Sequence, residues 1–296
     1  MKDLRGKNAV VTGASRGLGV YIARTLAAHG VNVVLVARTA DKLEDARRAC
    51  EGMGVRAIAI AADVTSLDDQ RRLVATVERE FGAIDILVNN AGIEIVSSFA
   101  DLTIEQIDDV IRTNLSAPIW LTKLVLPSML SRRCGAVVQV ASLAGKAPVP
   151  YDSIYATTKA GLVNFAESIQ GELEGTGVTS SVVCPGFVSG AGMWADRQAA
   201  GARRPFTLGT VRPQKVADAV VRAIKGHPEL IVAALPMRPL LALIDVAPRL
   251  RVTISRRLGL AATMREEAHN LRVGEDRRQA AKRRTEADPV SGRPPE

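Results

Sequence analysis

The sequence predicts an α/β fold built on a doubly wound parallel sheet. Short apolar runs rich in Val, Ile and Leu recur along the chain with helical patterns between them. The runs are continuous rather than alternating, as expected of strands covered on both faces. The first of them breaks into a glycine loop that leads into a helix, the arrangement that opens a nucleotide-binding βαβ unit.

That first run, Asn8 to Thr12, ends in Thr12-Gly13-Ala14-Ser15-Arg16-Gly17-Leu18-Gly19. Gly13, Gly17 and Gly19 allow the backbone to turn tightly and approach a pyrophosphate. Ser15, Arg16 and Leu18 complete the candidate loop, and the next helix offers unpaired N–H groups and a positive dipole end. A tight turn without a ligand is the alternative reading.

The second run, Val31 to Val36, ends in Ala37-Arg38. An acidic residue there would bond a ribose 2′-hydroxyl, whereas an arginine accommodates a 2′-phosphate. Arg38, with Arg16 in the loop, therefore points to NADP rather than NAD, against the reading of either as a solvated surface charge. A helical pattern from 41 to 50 leads to a third run, Val55 to Ile60, which closes at Asp63-Val64. Another, from 67 to 81 with Leu67, Val74 and Val77 on one face, leads to a fourth, Ile84 to Asn89, closing at Asn89-Asn90-Ala91-Gly92. Asp63, Val64, Asn90, Ala91 and Gly92 are candidate cofactor contacts, and a loop cap or a plain turn explains each of them singly as well.

Residues 103 to 130 read as one long helix containing Asn114, an amide that needs partners inside an apolar pattern. A fifth run, Ala136 to Ala141, ends at Ser142, where ligands of open α/β sheets bind. The following helix, from near Tyr155 to about Gly175, carries Tyr155 and Lys159 one turn apart on one face. An ammonium within about 4 to 6 Å lowers a phenol pKa by roughly 1 to 3 units, so a lowered Tyr155 pKa is expected. A sixth run, Val178 to Val183, leads to Pro185-Gly186-Phe187-Val188. The stretch 189–213, with Gly190, Gly192, Gly201, Gly209, Met193, Trp194 and Phe206, is expected to be a substrate-covering lid. A helix from 214 to 225 and a strand near 230–233 complete the body.

Composition bounds the remaining possibilities. The formal charge of +8 is concentrated late in the chain, where residues 249–284 hold eleven Arg or Lys against four Asp or Glu. Any basic partner surface thus belongs to the tail, and the absence of Phe, Tyr and Trp beyond Arg238 argues against nucleic acid. Three widely spaced cysteines suit a reducing compartment, with no metal cluster. The charged start carries no apolar signal segment, and a cytoplasmic location is expected.

Residues 236–264 alternate apolar residues with Arg238, Arg249, Arg251, Arg256 and Arg257, interrupted by Pro239 and Asp245. That pattern is a poor membrane span. Peripheral contact at a membrane interface and packing on the body or a second subunit are both open. Residues 265–296 are charge-dominated and read as disordered.

Taken together, Thr12-Gly13-x-x-x-Gly17-x-Gly19, Asp63, Asn89-Asn90-Ala91-Gly92, Asn114, Ser142, Tyr155-x-x-x-Lys159 and Pro185-Gly186 resemble the short-chain dehydrogenase/reductase family over roughly residues 4 to 235. The resemblance implies a Rossmann-type catalytic domain over 1–235 and an NADP-dependent oxidoreductase of an alcohol or carbonyl group. It makes Tyr155 the general acid/base, Lys159 its activator and the holder of the nicotinamide ribose, Ser142 the substrate's hydrogen-bond partner, and Asn114 the holder of a relay water. It further implies a small-molecule substrate, cofactor contacts from Pro185, Gly186 and Val188, and a homo-oligomer, dimer or tetramer. One departure is Gly190, where the family often has a cofactor-binding Thr, with Ser189 as the substitute. A nucleotide-sensing protein without catalysis is the alternative on the same fold, and the intact Ser142, Tyr155 and Lys159 speak against it.

Overall fold

The computed structural model describes residues 1–203, 209–246 and 261–272. Seven strands form one parallel sheet: β1 (Asn8–Thr12), β2 (Asn32–Ala37), β3 (Ala57–Ala61), β4 (Ile86–Asn89), β5 (Gly135–Val140), β6 (Val178–Pro185) and β7 (Glu229–Val232). Their spatial order is β3-β2-β1-β4-β5-β6-β7. The order of strand succession reverses between β1 and β4, which opens a crevice beyond the carboxyl ends of the strands.

The apolar runs are continuous because both faces of the sheet are covered. Val33 and Leu35 of β2 pack on one side with Ile22 and Leu26 of α1 (Leu18–Ala28) and Leu43 of α2 (Ala40–Glu51). Val34 and Val36 pack on the other side with Leu73 and Val77 of α3 (Leu67–Phe81). The period of two along the strand separates the two cores. Leu67 departs from the expected buried face: it begins α3 and is 38% exposed, while Leu73, Val74 and Val77 carry the packing.

The single helix expected over 103–130 is divided into α4 (Ile104–Ile111), a π-turn (Arg112–Ser116) and α5 (Ala117–Ser131). Thr103 and Gln106 form a capping box at the start of α4. Pro118, in the first turn of α5, has no N–H to return to the carbonyl of Asn114, so the ladder is reset just where Asn114 sits.

Beyond β5, α6 (Ser153–Glu172) precedes β6, and α7 (Met193–Ala199) lies inside the stretch expected to be a lid. Helix α8 (Pro213–Ile224) precedes β7, and α9 (Met237–Val246) follows it. A further helix, α10, spans residues 261–272, so the boundary expected at 264/265 runs through a helix. Phe206, 247–260 and 273–296 lie outside the described residues.

Candidate active site

The glycine loop is shaped by close approach. Gly13 has φ +67°, and a Cβ there would stand 2.9 Å from the Cα of Ala91; a Cβ on Gly19 would stand 2.2 Å from the Gly13 carbonyl oxygen. Helix α1 starts after Gly17 with no side-chain cap and no acidic residue in its first turn. Its N–H groups are left for an anion. Asn90 locks the loop from the neighbouring strand: its Nδ2 donates to the Thr12 carbonyl at 2.9 Å, and the N–H groups of Asn90 and Ala91 donate to Thr12 Oγ1 at 3.0 and 3.1 Å. Its side chain therefore positions the loop. These features fit a dinucleotide's pyrophosphate.

At the end of β2, Arg38 is exposed and makes no hydrogen bond or ion pair among the described residues. Arg16, by contrast, is ion-paired with Asp196 of α7, both side chains more than half exposed. Asp63 accepts hydrogen bonds from the backbone and hydroxyl of Thr65 at 2.9 and 2.8 Å, and the Val64 carbonyl accepts from Gln70 at 2.6 Å. Neither lines the cavity described next.

Leu18, Asn90, Ser142, Tyr155, Lys159, Pro185, Gly186 and Val188 line one cavity of about 250 Å³. Ser142 follows β5 by two residues and caps a short 3₁₀ turn, its Oγ accepting from the Ala144 N–H at 3.1 Å. Lys159 is 2% exposed, and its Nζ donates to the Val140 carbonyl at 3.1 Å. The ammonium stands 5.5 Å from the centre of the Tyr155 ring. Burial lowers the Lys159 pKa to about 8, against the opposing influence of Cys184 and Glu94.

The expected lowering of the Tyr155 pKa is reversed. Burial raises it well above the ordinary phenol value, and the charges of Glu94 and Asp152 act in the same direction; a hydrogen bond with Ser142 and the charge of Arg197 oppose them. Desolvation of the phenolate outweighs the favourable partners. Asn114 is fully buried, and its Nδ2 donates to the Ile93 carbonyl at 2.8 Å and to Thr158 Oγ1 at 3.3 Å. Its Oδ1 accepts from the Ile93 N–H at 2.8 Å, so the carboxamide holds the loop after β4. The Ser189 hydroxyl donates to the Val211 carbonyl at 3.3 Å. Gly190 itself adopts φ +70°, a backbone that disfavours a β-branched residue.

The sequence reading missed a charged cluster on the same cavity. Glu94, Asp152 and Arg197 line it, and Glu267 of α10 joins Arg197. Asp152 is 3% exposed; burial first, then Glu94 and Glu267, push its carboxyl up to about 10, with Arg197 opposing. No local pattern announces these residues, which come from four separate segments.

The tail's described apolar residues divide between inside and outside, with Leu243 and Leu271 exposed at 51% and 40%. Leu241 of α9 and Met264 of α10 are 7% and 3% exposed and line the cavity. No helix among the described residues is long and apolar enough to cross a membrane.

Comparison with known proteins agrees with this geometry. The family model for short chain dehydrogenase matches residues 7–201. The ketoacyl reductase HetN of Nostoc sp. (strain PCC 7120) is 42% identical over 276 residues, 91% of this chain and 95% of that protein. The 3-oxoacyl-[acyl-carrier-protein] reductase FabG of Salmonella typhimurium is 36% identical over 63% of this chain and 75% of its own. Among solved structures, an actinorhodin polyketide ketoreductase with NADPH superposes with a TM-score of 0.71 at 32% identity, covering 79% of this chain and 98% of that one. A metagenomic short-chain oxidoreductase in complex with NADP gives 0.66 at 32% identity, covering 78% and 98%. With a Rossmann-type sheet, the glycine loop and the Ser142, Tyr155 and Lys159 cluster in one crevice, the chain belongs to the short chain dehydrogenase family of oxidoreductases.

Proposed function

We propose that this protein is an NADPH-dependent reductase of a ketone carried on a largely apolar small molecule, with Tyr155 as the general acid. The observation that carries this reading is the meeting of Ser142, Tyr155 and Lys159 on an apolar cavity that the glycine loop also borders through Leu18. The reductase names of HetN and FabG, and the NADPH and NADP in the two solved structures, support it.

Bound NADPH would supply the hydride to the carbonyl carbon; the protein supplies position and a proton. The Ser142 hydroxyl hydrogen-bonds the carbonyl oxygen, and Tyr155 donates its proton to that oxygen as negative charge develops there. Burial, Glu94 and Asp152 hold the phenol protonated, the form from which the reductive direction draws its proton. Lys159, with a pKa lowered to about 8, is mostly charged at neutral pH and steadies the phenolate left after transfer. Arg38 is the cation available to a 2′-phosphate.

The test is to mix purified protein with NADPH and a panel of apolar ketones, following the absorbance of the reduced nicotinamide. Ketone-dependent loss of NADPH is expected. No turnover across the panel, with NADPH binding demonstrated separately, overturns the reading.

A further inference from the structure

Helix α10 lies beyond the stretch matched by the family model, yet it walls the cavity. Met264 lines it and packs with Ala268 and Val96, with Val149 and Tyr151 alongside. The polar attachment of α10 to the body centres on one guanidinium. Arg197 of α7 donates from Nε to Glu267 Oε1 and from Nη2 to Glu267 Oε2, both at 2.6 Å. Its Nη1 donates to Glu94 Oε1 at 2.6 Å, and Nη2 also reaches the Met264 sulfur at 3.3 Å. The guanidinium carbon stands 5.3 Å from the centre of the Trp194 ring. Two outer contacts flank this grip: Arg265 Nε to the Tyr151 hydroxyl, and Arg272 to Asp101, each 2.8 Å.

A forked arginine–carboxylate pair constrains orientation as well as distance. Here it is largely enclosed, with side-chain exposures of 15% for Arg197, 10% for Glu94 and 6% for Glu267. Replacing such a pair with apolar residues is often neutral or stabilising, so its consequence is better sought in what it aligns than in net stability. What it aligns is the cavity: α7 brings Met193 and Trp194 to one part of the wall, and α10 brings Met264 to another.

We propose that Arg197, Glu267 and Met264 determine substrate specificity, the first two as a clasp that sets the separation of α7 and α10, and Met264 as the apolar surface so positioned. The inference rests on the reductase reading and narrows its substrate to a carbonyl compound whose apolar body is gripped between these two helices. Arg197 and Glu267 are positioning residues in this scheme. Met264 touches the substrate.

The test uses full-length wild type, Glu267→Ala and Met264→Ala. Their kcat/KM values with NADPH are compared for 2-butanone and 2-octanone, and deuterium exchange of residues 193–199 is followed in each. Each buried CH₂ is worth about 0.8 kcal/mol, or about fourfold, so the wild type should favour 2-octanone. Met264→Ala should lower the octanone-to-butanone ratio by about tenfold. Glu267→Ala should lower it similarly and also speed exchange in α7, which loss of apolar contact alone would not do. A ratio within about twofold of wild type in both variants, or unchanged α7 protection in Glu267→Ala, overturns the clasp. Failure of the wild type to reduce either ketone strikes the reductase reading instead. Calorimetric binding of 2-octanone to the NADPH-loaded proteins then decides, and equal affinity for wild type and Met264→Ala overturns the specificity assignment.

Discussion

Asn114 and Ile93 exchange two hydrogen bonds of 2.8 Å each, carboxamide oxygen to N–H and carboxamide nitrogen to carbonyl. The exchange pins the π-turn between α4 and α5 to the loop after β4, beside Gly92 and Lys159. A Cβ on Gly92 would lie 3.1 Å from Asn114 Oδ1 and 3.5 Å from Lys159 Nζ.

Replacing Asn114 with Ala leaves the Ile93 N–H and carbonyl without these partners. Two lost hydrogen bonds with incomplete compensation should destabilise the protein by about 2–4 kcal/mol. Urea denaturation measures this, and a loss below about 0.5 kcal/mol would show that water replaces the amide.

Tyr155→Phe removes the proton donor and leaves the ring. Turnover should fall by about 10²- to 10⁴-fold, the usual weight of general acid catalysis, while NADPH still quenches intrinsic fluorescence with wild-type affinity. Near-normal turnover would take Tyr155 out of the chemistry.

Arg38 and Arg16 should contribute unequally to cofactor choice. A charge-assisted hydrogen bond from Arg38 to a 2′-phosphate is worth roughly 1.5–3 kcal/mol, or about tenfold to hundredfold in favour of NADP. Arg38→Asp should erase or reverse the preference, read as the ratio of kcat/KM for the two cofactors. Arg16→Ala should move it less, because Arg16 is already paired with Asp196. An unmoved ratio in Arg38→Asp removes Arg38 from cofactor selection.

The buried Asp152 carboxyl sets a pH trend in stability. Its pKa is raised from 3.8 to about 10, burial being the largest cause, so across that window the folded state holds a proton that the unfolded state releases. The contribution is fully present below the unfolded pKa and is lost as pH rises through the folded one. Asp152→Asn has no proton to hold and can still donate to Glu94. Its Tm should rise relative to wild type, by a margin that widens from pH 5 to pH 9; parallel Tm curves would remove Asp152 as the source of the trend.

The parallel sheet and the sites at its strand ends were legible because they are local. Continuous apolar runs identify strands buried on both faces, and Gly13, Gly19, Ser142, Tyr155 and Lys159 stand at fixed offsets from those runs. Spacing along a helix sufficed to pair Tyr155 with Lys159, but not to predict the phenol's protonation, since desolvation depends on everything that surrounds the ring. The same limit hid the break at Asn114, where Pro118 was visible but the loop that the reset turn would bind was not. Arg197 meets Glu94 and Glu267 across 103 and 70 residues of chain, with no periodicity linking them. Only the folded packing of α7 against α10 turns three ordinary charged residues into one wall of the site, because an ion pair between distant segments is specified by the position of both backbones and leaves no trace in either segment alone.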